Sequence, residues 1–281
     1  MNAPRKNFSA DRTFLIDLTR CTGCRGCQVA CKQWNQLEAE QTVFFSGEGY
    51  QNPPAMSEQT FTRIKFRDYE KNGQNEYVFY KEMCMHCDNP ACASVCPVLA
   101  LNKSPEGPVT YDEKRCIGCR FCMVACPFGV PKYEWSKVLP LIRKCTGCYS
   151  RVKAGLIPAC AKTCPAAISY GSRKEMVAEA KRRMAARPGS YFNKIYGLDE
   201  AGGTSVLYLS AEPFNELGFR KVTYQPIPDL TWQALRLVPG MFVATAGSLA
   251  LISWFSHRKE RIAREEDEQR KKDGDSTGGE A

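Results

Sequence analysis

Sixteen of the 281 residues are cysteines, and they fall into four groups of four. Cys21, Cys24, Cys27 and Cys31 are spaced C-x2-C-x2-C-x3-C, and Cys116, Cys119, Cys122 and Cys126 repeat that spacing. Cys84, Cys87, Cys92 and Cys96 follow C-x2-C-x4-C-x3-C, and Cys145, Cys148, Cys160 and Cys164 follow C-x2-C-x11-C-x3-C. Every group opens C-x2-C and closes C-x3-C, so the groups are copies of one unit that differ in the middle gap. In the last copy the gap holds "SRVKAGLIPA", expected as a surface loop. Three copies end in Cys-Pro, at Pro97, Pro127 and Pro165, while Lys32 breaks the rule in the first. The chemistry of such thiols is metal ligation. Two C-x2-C pairs make an ordinary zinc site, but zinc would leave the eight cysteines of the C-x3-C ends without a role. Disulfides are the other reading of abundant cysteine, and they belong to short secreted chains.

The spacing resembles the bacterial ferredoxin run C-x2-C-x2-C-x3-C-P. A 4Fe–4S cube needs one thiolate on each iron. A short loop reaches three corners, and its backbone N–H groups can turn toward the sulfurs. In two-cluster ferredoxins the fourth thiolate is the last cysteine of the other motif. Gly23, Gly26, Gly118 and Gly147 suit loops where backbone approaches a cluster closely. Nineteen residues separate the second and third groups, enough for one compact unit, so the first and fourth groups pair around it. The ferredoxin rule then implies four 4Fe–4S clusters. Cys21, Cys24 and Cys27 are completed by Cys164, and Cys145, Cys148 and Cys160 by Cys31. Cys84, Cys87 and Cys92 are completed by Cys126, and Cys116, Cys119 and Cys122 by Cys96. His86, inside "CMHC", reads as a loop or hydrogen-bonding residue and not as a ligand, because its quartet is complete.

Loops of this kind need a scaffold. The expected fold class is α+β: two nested ferredoxin-like dicluster units, a β-hairpin insertion and a single C-terminal transmembrane helix. The outer unit takes residues 12–33 and 145–172 and encloses the inner unit, 84–144. Residues 34–83 form the insertion, in which "TFTRIKFRDYE" and "EYVFYKEM" flank "KNGQN". Ile64 and Phe66 alternate with charges and an Asn-Gly lies in the turn, the pattern of a hairpin. Residues 173–236 form a C-terminal extension of helix, strand and linker. Ser172 stands three residues before Glu175, a capping-box pattern for an alanine-rich helix that ends near Arg187. "GGTSVLYLS" reads as a short buried strand.

"LVPGMFVATAGSLALISWF", residues 237–255, is nineteen residues without a charge. That is long enough to span a bilayer, and 237–256 are assigned to the membrane helix with 257–281 as a charged tail. Trp232 and Trp254 flank the segment as interfacial anchors do. Gly240 with Ala244, and Ala246 with Ala250, give small-xxx-small spacing for contact with another membrane helix. Residues 257–272 hold seven Lys or Arg and 221–236 hold two. The positive-inside rule therefore puts the C-terminus in the cytoplasm and the cluster domain on the far side. His257 reads as an ordinary interfacial residue. The N-terminus has no apolar run before Asp11, so no leader is read there; export would fall to a partner with a twin-arginine signal, and without such a partner the cluster domain faces the cytoplasm. The net charge of +9 is modest, and outside the tail there is no dense basic run, so nucleic acid is not an expected partner. No glycine-rich nucleotide loop or small-molecule substrate site is found.

"CTGCRGCQVACKQWN", "GYQNPPAMS", "CMHCDNPAC", "CIGCRFCMVACPFGVPKY" and "GGTSVLYL" together resemble the four-cluster iron–sulfur β subunits of membrane-anchored molybdenum or tungsten oxidoreductases. The "KQWN" and "YQNPP" stretches are most similar to formate dehydrogenase. "CPVLAL" and "CMVACPFGVPKYEW" also resemble the iron–sulfur subunit of membrane-bound nickel–iron uptake hydrogenases. Nitrate reductase relatives replace one cysteine with tryptophan, and all four quartets are intact here. The resemblance implies a non-catalytic electron-transfer subunit at the bacterial inner membrane. Its partners would be a catalytic molybdopterin α subunit and a cytochrome b γ subunit that serves quinone. A freely diffusing polyferredoxin is opposed by the membrane segment. A catalytic iron–sulfur enzyme would need spare ligands, and no cysteine is spare.

Overall fold

The computed structural model describes residues 12–45, 49–71 and 73–275. The N-terminal residues read for a leader (1–11), Asn72 of the expected turn and the end of the charged tail (276–281) lie outside them. In chain order the first elements are β1 (Arg12–Asp17), α1 (Gly26–Asn35), β2 (Arg63–Lys71), β3 (Gln74–Glu82) and α2 (Ala91–Ser94). Next come β4 (Leu101–Lys103), β5 (Val109–Tyr111), α3 (Phe121–Ala125), β6 (Lys132–Tyr133) and β7 (Ile142–Arg143). The chain continues through α4 (Tyr149–Lys153), α5 (Ala159–Thr163), β8 (Ile168–Ser172), α6 (Arg173–Ala186) and β9 (Val206–Leu209). It ends in α7 (Ile227–Leu235) and α8 (Val238–Asp275). Met1–Asp229 and Leu230–Ala281 form separate compact units.

β1 lies between β8, antiparallel to it, and β9, parallel to it. As the centre strand it is covered on both faces, which is why "RTFLID" is buried after its first residue. Successive side chains of a strand point to opposite faces. Leu15, Leu207 and Leu209 therefore face α6 and pack with Ala180. Phe14, Ile16, Val206 and Tyr208 face the other way and share a core with Cys27, Cys31, Cys145 and Cys160. Ser172 caps α6, and both bonds of the capping box with Glu175 are present. β4 and β5 pair antiparallel elsewhere, with Leu101 opposite Tyr111.

β2 and β3 pair along their whole length, from Arg63 opposite Glu82 to Lys71 opposite Gln74. Gly73 in the connection has φ +76°, a left-handed conformation that glycine adopts freely and that a two-residue hairpin turn requires. The "SRVKAGLIPA" stretch is not loop throughout. α4 occupies its first half and stops at Gly155, φ +75°, where the left-handed turn ends the helix. Leu156 and Ile157 beyond it are exposed.

In the second unit, α8 runs 38 residues without a break, about 57 Å at 1.5 Å per residue. The charged tail thus continues the apolar segment as one helix. It is the one helix among the described residues long and apolar enough to cross a membrane, and none of its apolar window is buried. The Pro-rich stretch before it, expected as linker, is helical from Ile227, with Pro228 in the first turn, where a missing N–H costs nothing.

Candidate metal centres

Two of the cysteine loops are built from the same local instructions. Asp17 ends β1 and its carboxylate accepts the Thr19 N–H at 3.2 Å, capping one 3-10 turn that delivers Cys21. Asp112 follows β5 and accepts the Lys114 N–H at 3.0 Å, capping the turn that delivers Cys116. Each loop then passes a left-handed glycine, Gly23 or Gly118, and a left-handed arginine, Arg25 at φ 60° or Arg120 at φ 65°, before its helix starts. The D-x-x-R-C-x-G-C-R-x-C pattern at 17–27 and 112–122 is the sequence trace of this geometry.

The thiols gather across the chain, not within each motif. Cys21, Cys24, Cys27 and Cys164 line one cavity. Cys31, Cys145, Cys148 and Cys160 line a second, and Cys96, Cys116, Cys119 and Cys122 a third. Cys87 lies close enough to Cys84, Cys92 and Cys126 that their charges would repel its own. Neighbouring quartets lie within electrostatic reach of one another in one order: Cys27 of Cys160, Cys145 of Cys84, and Cys92 of Cys122.

Burial rises toward the middle of that series. All four thiols of the Cys31 quartet are buried, and two of the four in the Cys84 quartet. The Cys21 and Cys96 quartets bury one each, and Cys24 is exposed. Desolvation pushes the thiols of Cys27, Cys31 and Cys92 up to about 12 and that of Cys122 to about 11. Those groups are protonated at neutral pH without a metal, so cluster assembly must displace their protons.

The surroundings fit an anionic iron–sulfur group. Gly147 N–H points to Cys145 Sγ at 3.3 Å and Ala100 N–H to Cys96 Sγ at 3.2 Å. Gly23 N–H serves Cys21, and Ala159 N–H serves Cys148. Asn35, the last residue of "KQWN", donates to Cys31 Sγ at 3.6 Å. Lys81 is buried among Cys160, Cys27, Cys145 and Cys31, and its Nζ donates to Thr62 Oγ1 at 2.5 Å. Lys144 is buried, donating to the carbonyls of Val109 at 2.6 Å and Cys145 at 2.9 Å. Lys103 donates to the His86 carbonyl at 2.8 Å. Ammonium groups are rarely buried without negative charge beside them. No carboxylate touches Lys81 or Lys144 among the described contacts, so the thiolates are the available counter-charge. By contrast, no three His, Cys, Asp or Glu side chains among the described residues converge closely enough for a single ion.

His86 is 1% exposed and does not join a quartet. Burial, with Lys144, Lys103 and Lys81 near, holds it well below the ordinary imidazole range. The buried lysines escaped sequence reading. Lys144 directly precedes a cysteine group and Lys81 stands three residues before another, which is the only signal they left.

Paired strands, capped cysteine turns and shared thiol cavities define a two-fold dicluster iron–sulfur protein. Residues 20–100 and 75–173 each match a family described as "4Fe-4S dicluster domain". The two matches run along the chain and overlap, whereas the cavities join thiols across it. The chain is 37% identical over 208 residues to the "Formate dehydrogenase, nitrate-inducible, iron-sulfur subunit" of Escherichia coli, covering 73% of this chain and 69% of that one. It is 37% identical over 247 residues to the "Hydrogenase-2 operon protein HybA" of Escherichia coli O157:H7, covering 74% and 72%. A protein of Nitratidesulfovibrio vulgaris is 40% identical over 259 residues, covering 90% and 68%. The chain belongs to the family of iron–sulfur electron-transfer subunits found in formate dehydrogenases and in the hydrogenase-2 operon, and 4Fe–4S clusters are its cofactors.

Proposed function

We propose that the chain carries four 4Fe–4S clusters, one in each cross-joined quartet, and relays electrons between a catalytic subunit and a membrane subunit. The observation that supports this most is the gathering of all sixteen cysteines into four sets of four, with none left over. A cluster bound in such a site supplies one-electron redox chemistry. The protein's part is to hold the thiolates, aim N–H groups at them and exclude water from the middle sites. Zinc in paired C-x2-C sites does not suit this arrangement, because each C-x2-C pair is joined by a distant cysteine from a C-x3-C end. The outer unit then comprises 12–33 with 145–172, the inner unit 84–144, and the hairpin insertion 34–83 covers the outer one.

The order in which the quartets lie within electrostatic reach gives a wire with two ends. Cys21, Cys24, Cys27 and Cys164 hold one end, where Cys24 reaches the surface. Cys96, Cys116, Cys119 and Cys122 hold the other, beside exposed Ile117, Phe121 and Val124. The partners we assign are a formate-oxidising molybdenum or tungsten subunit and a cytochrome b subunit that reduces quinone. The formate dehydrogenase relatives and the "KQWN" and "YQNPP" stretches support the first. A hydrogenase partner is the second reading, favoured by the equal identity to the HybA relative. The apolar part of α8 is the anchor, and seven Lys or Arg after it against two before it put the C-terminus in the cytoplasm and the clusters in the periplasm.

Metal analysis tests the cofactor content. The full chain should hold about sixteen irons and about sixteen acid-labile sulfides, with no stoichiometric zinc. About eight irons with two zincs would overturn the four-cluster reading. Affinity purification from the native host, with identification of the co-purifying large subunit, separates the formate and hydrogen readings.

A further inference from the structure

The third position of each cysteine group is left-handed: Gly23 at φ 67°, Gly118 at 68° and Gly147 at 65°, but His86 at 49°. Three copies place glycine where the backbone demands positive φ, and the fourth places a side chain that costs on the order of 1–2 kcal/mol there. Strain of this kind persists where the side chain has work to do. The ring of His86 is fixed from both sides. Its Nδ1 accepts the Val109 N–H at 3.0 Å, so the proton of the neutral ring is on Nε2. Nε2 lies 3.6 Å from Cys145 Sγ, and the only role left to it is donor. The ring lies against the Cys145–Cys148 loop, where a side chain at Gly147 would meet Nε2 at 3.3 Å.

His86 therefore joins two quartets. It is the residue before Cys87 of the inner unit, and it donates to a sulfur of the outer unit. We propose that His86 is the positioning residue of the junction between the two units. From the inner unit's loop it raises the reduction potential of the cluster held by Cys31, Cys145, Cys148 and Cys160, and it forms the one-hydrogen-bond path from that cluster to the Cys87 backbone. The inference rests on the cluster assignment above. A hydrogen bond to a ligating sulfur stabilises the more negative, reduced form, which sets the direction of the effect.

The chain contains two histidines, and the other, His257, is exposed on the C-terminal helix. Uniform 15N-histidine labelling thus marks His86 alone among the buried residues. The experiment is pulsed EPR on the full, cluster-loaded chain, with potentiometric titration of wild type, His86→Gly and His86→Leu. Glycine restores what the sister loops carry, so iron content should be kept in His86→Gly even if His86→Leu folds poorly. Cys31→Ser identifies the cluster independently of histidine. A 15N coupling on that cluster, lost in His86→Gly, supports the proposal. So does a fall in that cluster's potential on the order of tenfold in its reduction equilibrium, with the other three unmoved. Absence of the coupling, its survival in His86→Gly, or an unchanged potential at full iron content overturns it. If instead Cys31→Ser and Cys148→Ser disturb different clusters, the cluster assignment fails, whatever the 15N result.

Discussion

The quartet of Cys31, Cys145, Cys148 and Cys160 and the quartet of Cys96, Cys116, Cys119 and Cys122 are made from the same repeat, yet they sit in different solvents. The first is buried at every thiol, with Lys81 close by and His86 and Asn35 donating to its sulfurs. The second buries one thiol and has Ile117, 65% exposed, on its own loop and Val124, 88% exposed, on α3. The difference comes from what surrounds the loops. The β2–β3 hairpin supplies Lys81 and a cover to the outer pair, and nothing comparable among the described residues covers the Cys96 quartet. A relay protein profits from this division, since a buried middle insulates electrons and an exposed end can be approached.

The largest effect should come from cutting a thiol at each place. Cys145→Ala removes a ligand where Lys81 depends on thiolate charge, and an uncompensated buried charge costs on the order of 3–5 kcal/mol. Its thermal midpoint should fall by many degrees, or the chain should fail to accumulate. Cys119→Ala should lose one cluster and stay folded with the rest. Equal losses of stability in calorimetry would erase the contrast between middle and end.

A smaller effect sharpens the contrast between the units. Lys81→Met removes a positive charge beside Cys160, Cys27, Cys145 and Cys31. Potentiometric titration should show both outer clusters shifting to lower potential, on the order of tenfold in the reduction equilibrium or ~59 mV for one electron. The inner clusters should not move. A uniform shift of all four would mean that Lys81 acts through the fold and not through local charge.

The smallest effect concerns the cluster-free chain. Burial raises the thiols of Cys27, Cys31 and Cys92 from the ordinary value of 9.0 to about 12 in the folded state. A group whose pKa rises on folding stabilises the fold below its unfolded value, and that stability is lost as pH climbs toward the folded value. Denaturant midpoints of the reduced, metal-free chain should therefore fall between about pH 9 and about pH 12. The loaded chain, whose cysteines are already committed as thiolates, should show no such fall.

Much of this was legible because the signals are local. C-x2-C loops, the Ser172–Glu175 box and an Asn-Gly between alternating strands each act within a few residues of themselves. The parallel pairing of β9 with β1 was not legible, since partners such as Leu15 and Leu207 are far apart in sequence and carry no mark of each other. Nor was the burial of Lys81, which looks in sequence like one more charge on an exposed hairpin face. Its counter-charges come from three other segments and meet only in the folded chain. His86 left a fainter trace: a histidine at the position where three sister loops have glycine. The helical continuation of the tail to Asp275 carries no apolar stripe to mark it, and rests on the helix propensity of its Lys, Arg and Glu residues.

The account turns on thiols shared across the chain, and EPR of three single variants tests it most directly. Cys31→Ser and Cys148→Ser should alter the same reduced-cluster signal, and Cys24→Ser should alter a different one and leave that signal in place. If Cys31→Ser and Cys24→Ser strike one signal together, each motif closes on itself and the cross-joined architecture is contradicted.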